Sequence, residues 1–398
     1  MKHCIYILSL FLCSCASIEN SMTKGEYVIN LDSIQKEKTL EFTSLYNSKK
    51  LTILVLDTVQ NALLGSIDKI GITNQCILVL DKDTGQKLLA FDKQGKFLRQ
   101  IGKIGQGPGE YSRISDFTYS QKENSIFILD YYLQKIHVYN LSTGKFIRSF
   151  PAHSNSYFIH YFNGSIYADN PTKRGAKKTE SLLSQISAND GGNINSFISP
   201  QIWNSGWDKR LANTGGPFLT FNQQGVRYSH YFANTIFKGE NDEIIPFLTF
   251  ESKDWMKEKD WEGLDPDNDD RSFFRKLIQI KKYYDIHDYM EWNNKIFCTF
   301  SKGLESHYVY ADLEHNKKLH SMSLFENILF NNVNFEYIRL RLGAVTETGA
   351  YYYLIPEQLN EFLQYSDKLS PLGKMQVKQL LGKNDNFNGA IFYYEFKE

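Results

Sequence analysis

The chain repeats itself in its first half, and the repeat limits what it can fold into. The stretch "ILVLDKDTGQKLLAFDKQGKFLRQI" (Ile77–Ile101) lies over "IFILDYYLQKIHVYNLSTGKFIRSF" (Ile126–Phe150). In both, an apolar run ends in an aspartate, Asp81 or Asp130. A short turn follows, then a second run opened by Lys87 or Lys135. Next comes a glycine turn with Lys-Phe after it (Gly95-Lys96-Phe97, Gly144-Lys145-Phe146), leading into a third run. A unit that recurs in this way cannot bury its apolar face alone and must stack on its neighbours. Three antiparallel strands per unit, with a fourth between units, make one blade of a β-propeller. The 28 Phe and 25 Tyr agree, because aromatic side chains suit a pleated, half-buried surface.

The later chain keeps the rhythm less cleanly. "NGSIYADN" (Asn163–Asn170) opens a third unit and "ANTIFKGENDEIIPFLTF" (Ala233–Phe250) reads as a hairpin of a fourth. "NNKIFCTFSKGLESHYVYADLEHNKKL" (Asn293–Leu319) makes a fifth, and "ETGAYYYLIP" (Glu347–Pro356) starts a sixth. Six units leave about 60 residues each, against ~40–50 in familiar propeller repeats. The surplus falls in insertions: a loop, "WNSGWDKRLANTGGPF" (Trp203–Phe218), and a helix after an Asp N-cap, "DDRSFFRKLIQIKKYYD" (Asp269–Asp285). A third is the helical stretch "PEQLNEFLQYSDKLSPLGKMQVKQLLG", split by Pro371. The expected fold is all-β, a six-bladed β-propeller over residues 39–398 with helical insertions in the C-terminal third. "TLEFTSL" or "LTILVLD" near the N-terminus is expected to complete the last blade, which closes the ring and removes sheet edges.

"GKIGQGPGEY" (Gly102–Tyr111) packs four glycines and a proline into ten residues. A Walker loop needs Lys-Ser/Thr after the second glycine of its gap; here Pro108 follows Gly107, and proline offers no N–H to a phosphate. A Rossmann fingerprint needs a helix next, and "ISDFTYS" (Ile114–Ser120) reads as a strand. The stretch is therefore a bend that carries the chain inward between two blades. "GQGPGEYSRISDF" followed by "IFILDYYLQKIHVYNLSTGKFI" resembles the six-bladed β-propeller lipoproteins of Bacteroidetes, relatives of the NHL-repeat proteins. The resemblance covers most of residues 40–250 and implies fold and compartment; it carries over no catalytic residue.

The N-terminus "MKHCIYILSLFLCSCASIEN" has a short basic opening and an apolar run too short to span a bilayer. It reads as a signal peptide over residues 1–14. "LCSC" (Leu12–Cys15) resembles the lipobox of bacterial lipoproteins, which implies cleavage before Cys15 and lipidation of its thiol. Residues 15–38 are then the lipidated N-terminus and tether. The expected location is the cell envelope, lipid-anchored to a bacterial membrane, in all expectation the outer one. Cys76 and Cys298 read as two separate buried thiols. The 45 basic and 45 acidic side chains leave no basic excess for nucleic acid, and "KRGAKK" (Lys173–Lys178) is a short solvated run.

Propeller geometry singles out two candidate binding groups. Glu110, Tyr111, Arg113 and Asp116 lie where the glycine loop enters an inner strand and are candidates for the channel mouth; the plainer reading is a Glu110–Arg113 ion pair between blades, with Asp116 capping a turn. Trp203, Trp207 and Arg210 suit stacking on sugars or peptide side chains, or alternatively pin their loop to the blade. Asp81 and Asp130 read as acceptors of turn N–H groups. "DPDNDD" (Asp265–Asp270) lacks the glycine and the terminal glutamate of a calcium loop, and reads as an acidic helix start. No HExxH or Gly-x-Ser-x-Gly motif occurs. The expected function is non-catalytic binding of a peptide, glycan or protein partner, with no cofactor and no nucleic acid. The alternative is a metal-dependent hydrolase or lactonase holding a divalent ion in the central channel.

Overall fold

Both repeats fold as their pattern predicts. Ile77–Asp81, Lys87–Phe91 and Phe97–Ile101 run antiparallel, and Lys69–Ile72 pairs on the free side of Ile77–Asp81 to complete sheet 1. Ile114–Ser120, Ser125–Asp130, Lys135–Asn140 and Phe146–Pro151 repeat the arrangement as sheet 2. The structure is a computed structural model that describes residues 25–152, 156–170, 181–198, 218–219, 225–230, 233–240, 242–261, 270–378, 380 and 387–398.

Sheet 3 holds Ile159–Phe162, Ser165–Asp169, Leu183–Ser187 and Asn193–Phe197. Sheet 4 holds Arg227–Tyr228, Thr235–Glu240 and Glu243–Glu251; sheet 5 holds Tyr283–Trp292, Lys295–Lys302, Glu305–Asp312 and Lys317–Ser321. Sheet 6 is built on Leu324–Glu326 and Val333–Asn334, and sheet 7 on Arg341–Val345, Gly349–Leu354 and Ala390–Phe396. The fold is a β-propeller, and its described strands form seven sheets where six units were expected. The additional one is sheet 6. Its strands are two or three residues long, too short to carry a readable period. The first strands of sheets 5 and 7 touch each other beside it, as do those of sheets 7 and 1, 1 and 2, and 2 and 3.

The remaining strand of sheets 4 to 7 comes from the N-terminus. Tyr27–Asn30, Gln35–Lys36 and Leu40–Glu41 pair parallel with sheets 4, 5 and 6 in turn. After a four-residue helix, Phe42–Leu45, the strand Tyr46–Val55 pairs antiparallel with Ala390–Phe396 and completes sheet 7. That pairing is the closure expected of "LTILVLD", while "TLEF" feeds sheet 6. Residues 27–36, read from the sequence as tether, lie along two sheets instead. Residues 1–14 and Cys15 lie outside the described residues.

The core fills the spaces between sheets. Leu78, Leu80 and Leu88 of sheet 1 pack on Phe117, Ile126 and Ile128 of sheet 2, all buried. Strands covered on both faces read as continuous apolar runs, which is why "ILVLD" and "IFILD" show no alternation. The outer strands are different. In sheets 1, 2 and 3 the pairing skips one residue, leaving Leu98, Ile147 and Ile194 opposite no partner and 41–49% exposed. Such bulges bend an edge and break its pairing template.

Each repeated aspartate latches the loop that leads into its inner strand. Asp81 accepts from Gly65 N at 2.7 Å and Gly85 N at 2.6 Å. Asp130 accepts from Ser112 N at 2.5 Å and Leu133 N at 3.1 Å, so both bind turn N–H groups as expected. Asp169 does the same in sheet 3, from Tyr157 N at 2.8 Å and Phe158 N at 2.7 Å. Elsewhere the helix Asp270–Ile280 agrees with its spacing. Pro371 opens a helix (Pro371–Val377) rather than splitting one, with Ser370 Oγ capping Gly373 N at 2.9 Å. Cys76 and Cys298 are buried free thiols.

Two tests follow from the packing. Phe42 is fully buried, with the rings of Tyr46, Phe335, Tyr352 and Tyr394 at 5.1–5.8 Å. Phe42→Ala is expected to cost about 3–5 kcal/mol in urea unfolding. Burial pushes the Asp169 carboxyl up to about 7 against the N–H bonds that lower it. The unfolded group titrates near ~3.9, so its stabilisation is complete below about pH 4 and lost as pH climbs through about 7. Comparing the unfolding of wild type with Asp169→Asn from about pH 4 to about pH 8 should show the variant gaining on wild type as pH rises. A pH-independent difference would refute the assignment.

Candidate functional site

The glycine loop crosses from the last strand of sheet 1 to the first strand of sheet 2, as a bend between blades should. Gly102 and Gly109 sit at φ +63° and +75°, and a Cβ at Gly109 would come 2.5 Å from the Phe146 ring. The loop satisfies its own polar groups. Tyr111 N donates to Lys103 O at 3.0 Å, Gly105 N to Tyr111 O at 3.1 Å and Gly107 N to Glu110 Oε2 at 2.8 Å. The Gly107 N–H and the Lys103 ammonium, 3.1 Å away, hold the Glu110 carboxyl below its ordinary range.

Beneath the loop, against the outer two strands of sheet 2, lies a cleft of about 830 Å³. That is the size of a small-ligand site. Ile104, Leu133 and Phe146 line it while 57%, 48% and 36% exposed, an unusual grouping of bare apolar side chains. Lys135, His137 and Ser149 line it from the strands. His137 is 4% exposed, and neither ring nitrogen has a hydrogen-bond partner. Its Nε2 stands 3.8 Å from Asp130 Oδ2. Burial alone would raise the Asp130 carboxyl, but His137 and the N–H groups of Ser112 and Leu133 hold it below its ordinary value. A sequence search for HExxH passes over His137. The sister repeat carried the signal: "KLLAF" has the fully buried Leu89 where "KIHVYN" has histidine.

The inner strands carry a different set of polar groups, which tie neighbouring sheets together. Lys69 of sheet 1 donates to Asp116 Oδ1 of sheet 2 at 2.7 Å, and Asp116 Oδ2 accepts from Ile159 N of sheet 3 at 2.8 Å. Thr118 accepts from Tyr161 N at 2.9 Å. His160 Nε2 lies 2.9 Å from Gly225 O, and burial lowers this imidazole to about 4, leaving it neutral. Arg227 of sheet 4 grips Glu291 of sheet 5 through two bonds of 2.9 and 3.0 Å. Bidentate pairs of this kind fix orientation as well as charge.

The four residues around the loop do not converge. Glu110 rims the cleft, Tyr111 is buried in the core with its hydroxyl donating to Gln86 O at 3.2 Å, and Asp116 belongs to the inter-sheet link. Arg113 lies over the Tyr132 ring at 5.4 Å and donates to its hydroxyl at 3.0 Å. The ion pair of Glu110 is with Lys103, not Arg113. Trp203, Trp207 and Arg210 lie outside the described residues, as do Lys173–Lys178 and all of "DPDNDD" but Asp270. A smaller cleft of about 410 Å³ reaches His287, whose ring joins Asp285 at 3.2 Å and Ser301 at 3.3 Å. These are cross-strand neighbours on sheet 5, where Asp285 pairs with Ser301.

The family model described as "Domain of unknown function (DUF4934)" matches residues 26–395. No curated protein matches the chain. Among solved structures, a Bacteroides fragilis protein assigned as exported is similar at a TM-score of 0.73 and 17% identity, covering 93% of this chain and 100% of its own. A Bacteroides vulgatus member of the DUF4221 family aligns at a TM-score of 0.47 and 11% identity, over 88% of this chain and 97% of its own. The β-propeller domain of the Pyrococcus furiosus Trilobed protease aligns at 0.38 and 8%, over 72% and 77%. The first of these shows a shared fold.

The inter-sheet link has a measurable cost of breaking. Asp116 has a side chain 4% exposed, and Lys69 is its charge partner. Lys69→Met is expected to destabilise by roughly 3–5 kcal/mol, and adding Asp116→Asn, which removes the charge and keeps an acceptor for Ile159 N, should restore much of the loss. Equal unfolding free energies for wild type and Lys69→Met would remove the pair from the account.

Proposed function

This chain belongs to the DUF4934 family, and we propose that it is a lipid-anchored cell-envelope protein whose propeller binds a ligand or partner without catalysis. The observation that carries the reading is the cleft under the glycine loop. It joins three exposed apolar side chains to a buried imidazole whose nitrogens make no close hydrogen bond and whose one charged neighbour, Asp130, stands 3.8 Å off, a combination that folding alone does not reward. The inner-strand carboxylates Asp116 and Glu291 are each engaged by a cation from a neighbouring sheet, which favours binding over a channel metal centre. A Bacteroides fold relative assigned as exported supports the envelope location, together with the lipobox-like run ending at Cys15.

Thermal unfolding of the full chain in mild detergent tests the binding role against a panel of peptides and glycans, with and without chelator. A panel member should raise the midpoint, and Phe146→Ala should abolish the rise. A ligand at a hundred times its dissociation constant contributes about 2.7 kcal/mol, a visible shift. A midpoint that falls with chelator and recovers with one divalent metal would transfer the case to the hydrolase. The anchor is tested separately: wild type should enter the detergent phase of a two-phase extraction, and Cys15→Ala should not.

A further inference from the structure

We infer that the cleft under the glycine loop takes an apolar group bearing a single carboxylate, which Lys135 and His137 recognise; the inference rests on the binding role proposed above. Lys135 and His137 stand two apart on one strand, so both face the same side of sheet 2. Ser149 pairs directly opposite His137 and shares that face. All three line the cleft. The Lys135 ammonium is exposed and has no ion-pair partner among the described residues.

The acids nearby are already engaged. Glu110 holds Lys103 and the Gly107 N–H, and Asp130, behind the imidazole, holds the N–H groups of Ser112 and Leu133. The space in front of Lys135 and His137 therefore offers an incoming acceptor a cation, a hydroxyl and, in the doubly protonated ring that Asp130 stabilises from the Nε2 side, the second N–H of His137. Ile104, Leu133 and Phe146 form the apolar remainder of the wall. A phosphate would need more donors, and Arg148, also in the wall, spends its guanidinium on the Asn189 and Ala188 carbonyls. The glycine loop adds no donors, because Gly105 N and Gly107 N are closed inside the loop. One carboxylate on an apolar body matches what is left.

Calorimetric titration of the full chain with phenylpropanoate, phenylpropanamide and phenyl phosphate reads the charge preference directly. A pair of peptides ending in Phe, one with a free carboxylate and one amidated, separates a peptide C-terminus from a free small acid as the source. The acids should bind at least about tenfold more tightly than their amides, equivalent to about 1.4 kcal/mol. Lys135→Ala, at an exposed position, should remove that preference by weakening the acids far more than the amides, with the thermal midpoint of the unliganded protein unchanged. Tighter binding of the free-carboxylate peptide assigns a C-terminus, and of phenylpropanoate a small acid; both uphold the inference. Equal binding of acid and amide overturns the carboxylate while the apolar cleft survives. Preference for phenyl phosphate overturns it too. If none of the probes binds, the carboxylate inference falls, and the panel with Phe146→Ala decides the binding role by itself.

Discussion

One seam holds the ring shut: the antiparallel pairing of Tyr46–Val55 with Ala390–Phe396. Every sheet packs on the next, so a gap at this place would bare an apolar face on either side of it. The seam joins segments more than three hundred residues apart in the chain. Phe42, Tyr46, Tyr352 and Tyr394 crowd against it as a buried aromatic group, with the Tyr46 and Tyr352 hydroxyls 2.7 Å apart. Burial pushes both of those phenols well above their ordinary range. The closure is built from large rings that tolerate little rearrangement.

Within the closed ring, sheets 1 and 2 show how one unit becomes a scaffold and its sister a candidate site. Both keep the aspartate latch and the outer bulge. They differ in the segment leading into the inner strand. Sheet 1 is entered through a short stretch ending at Gly65 and Ser66, which Asp81 pins. Sheet 2 is entered through the long glycine loop, which stands off from the outer strands far enough to leave a cleft. The latch leaves that freedom because it fixes only the end of the loop nearest the inner strand.

Much of the architecture was legible in the sequence. The strands of sheets 1 and 2, the roles of Asp81 and Asp130, the hairpins of sheets 4 and 5 and the closing strand follow from repeat spacing and apolar runs. Sheet 6 was not legible, because pairing between segments almost three hundred residues apart, such as Leu40–Glu41 with Leu324–Glu326, leaves no local period. The same holds for the parallel pairings of Tyr27–Asn30 and Gln35–Lys36. At the candidate site the loop was found and its chemistry misplaced. Position in the chain put Glu110, Tyr111, Arg113 and Asp116 together, but only Asp116 lies on the inner strand, and the loop before it turns the other three to separate neighbours. His137 was hidden because burial in a strand erases the contrast between a core residue and a lining one.

The N-terminal segment visits sheets 4, 5, 6 and 7 in the order in which the chain later builds them. A tension on residue 25 directed along Tyr27–Asn30 loads that strand in shear, so its bonds to Leu248–Glu251 resist together and do not unzip singly. The load then passes in sequence to Gln35–Lys36, Leu40–Glu41 and the ten residues of Tyr46–Val55. Four sheets share the strain before the seam feels it. A pull on the leading end would thus be borne by sheets 4 to 7, while sheets 1 to 3, which that segment does not join, would carry none of it directly.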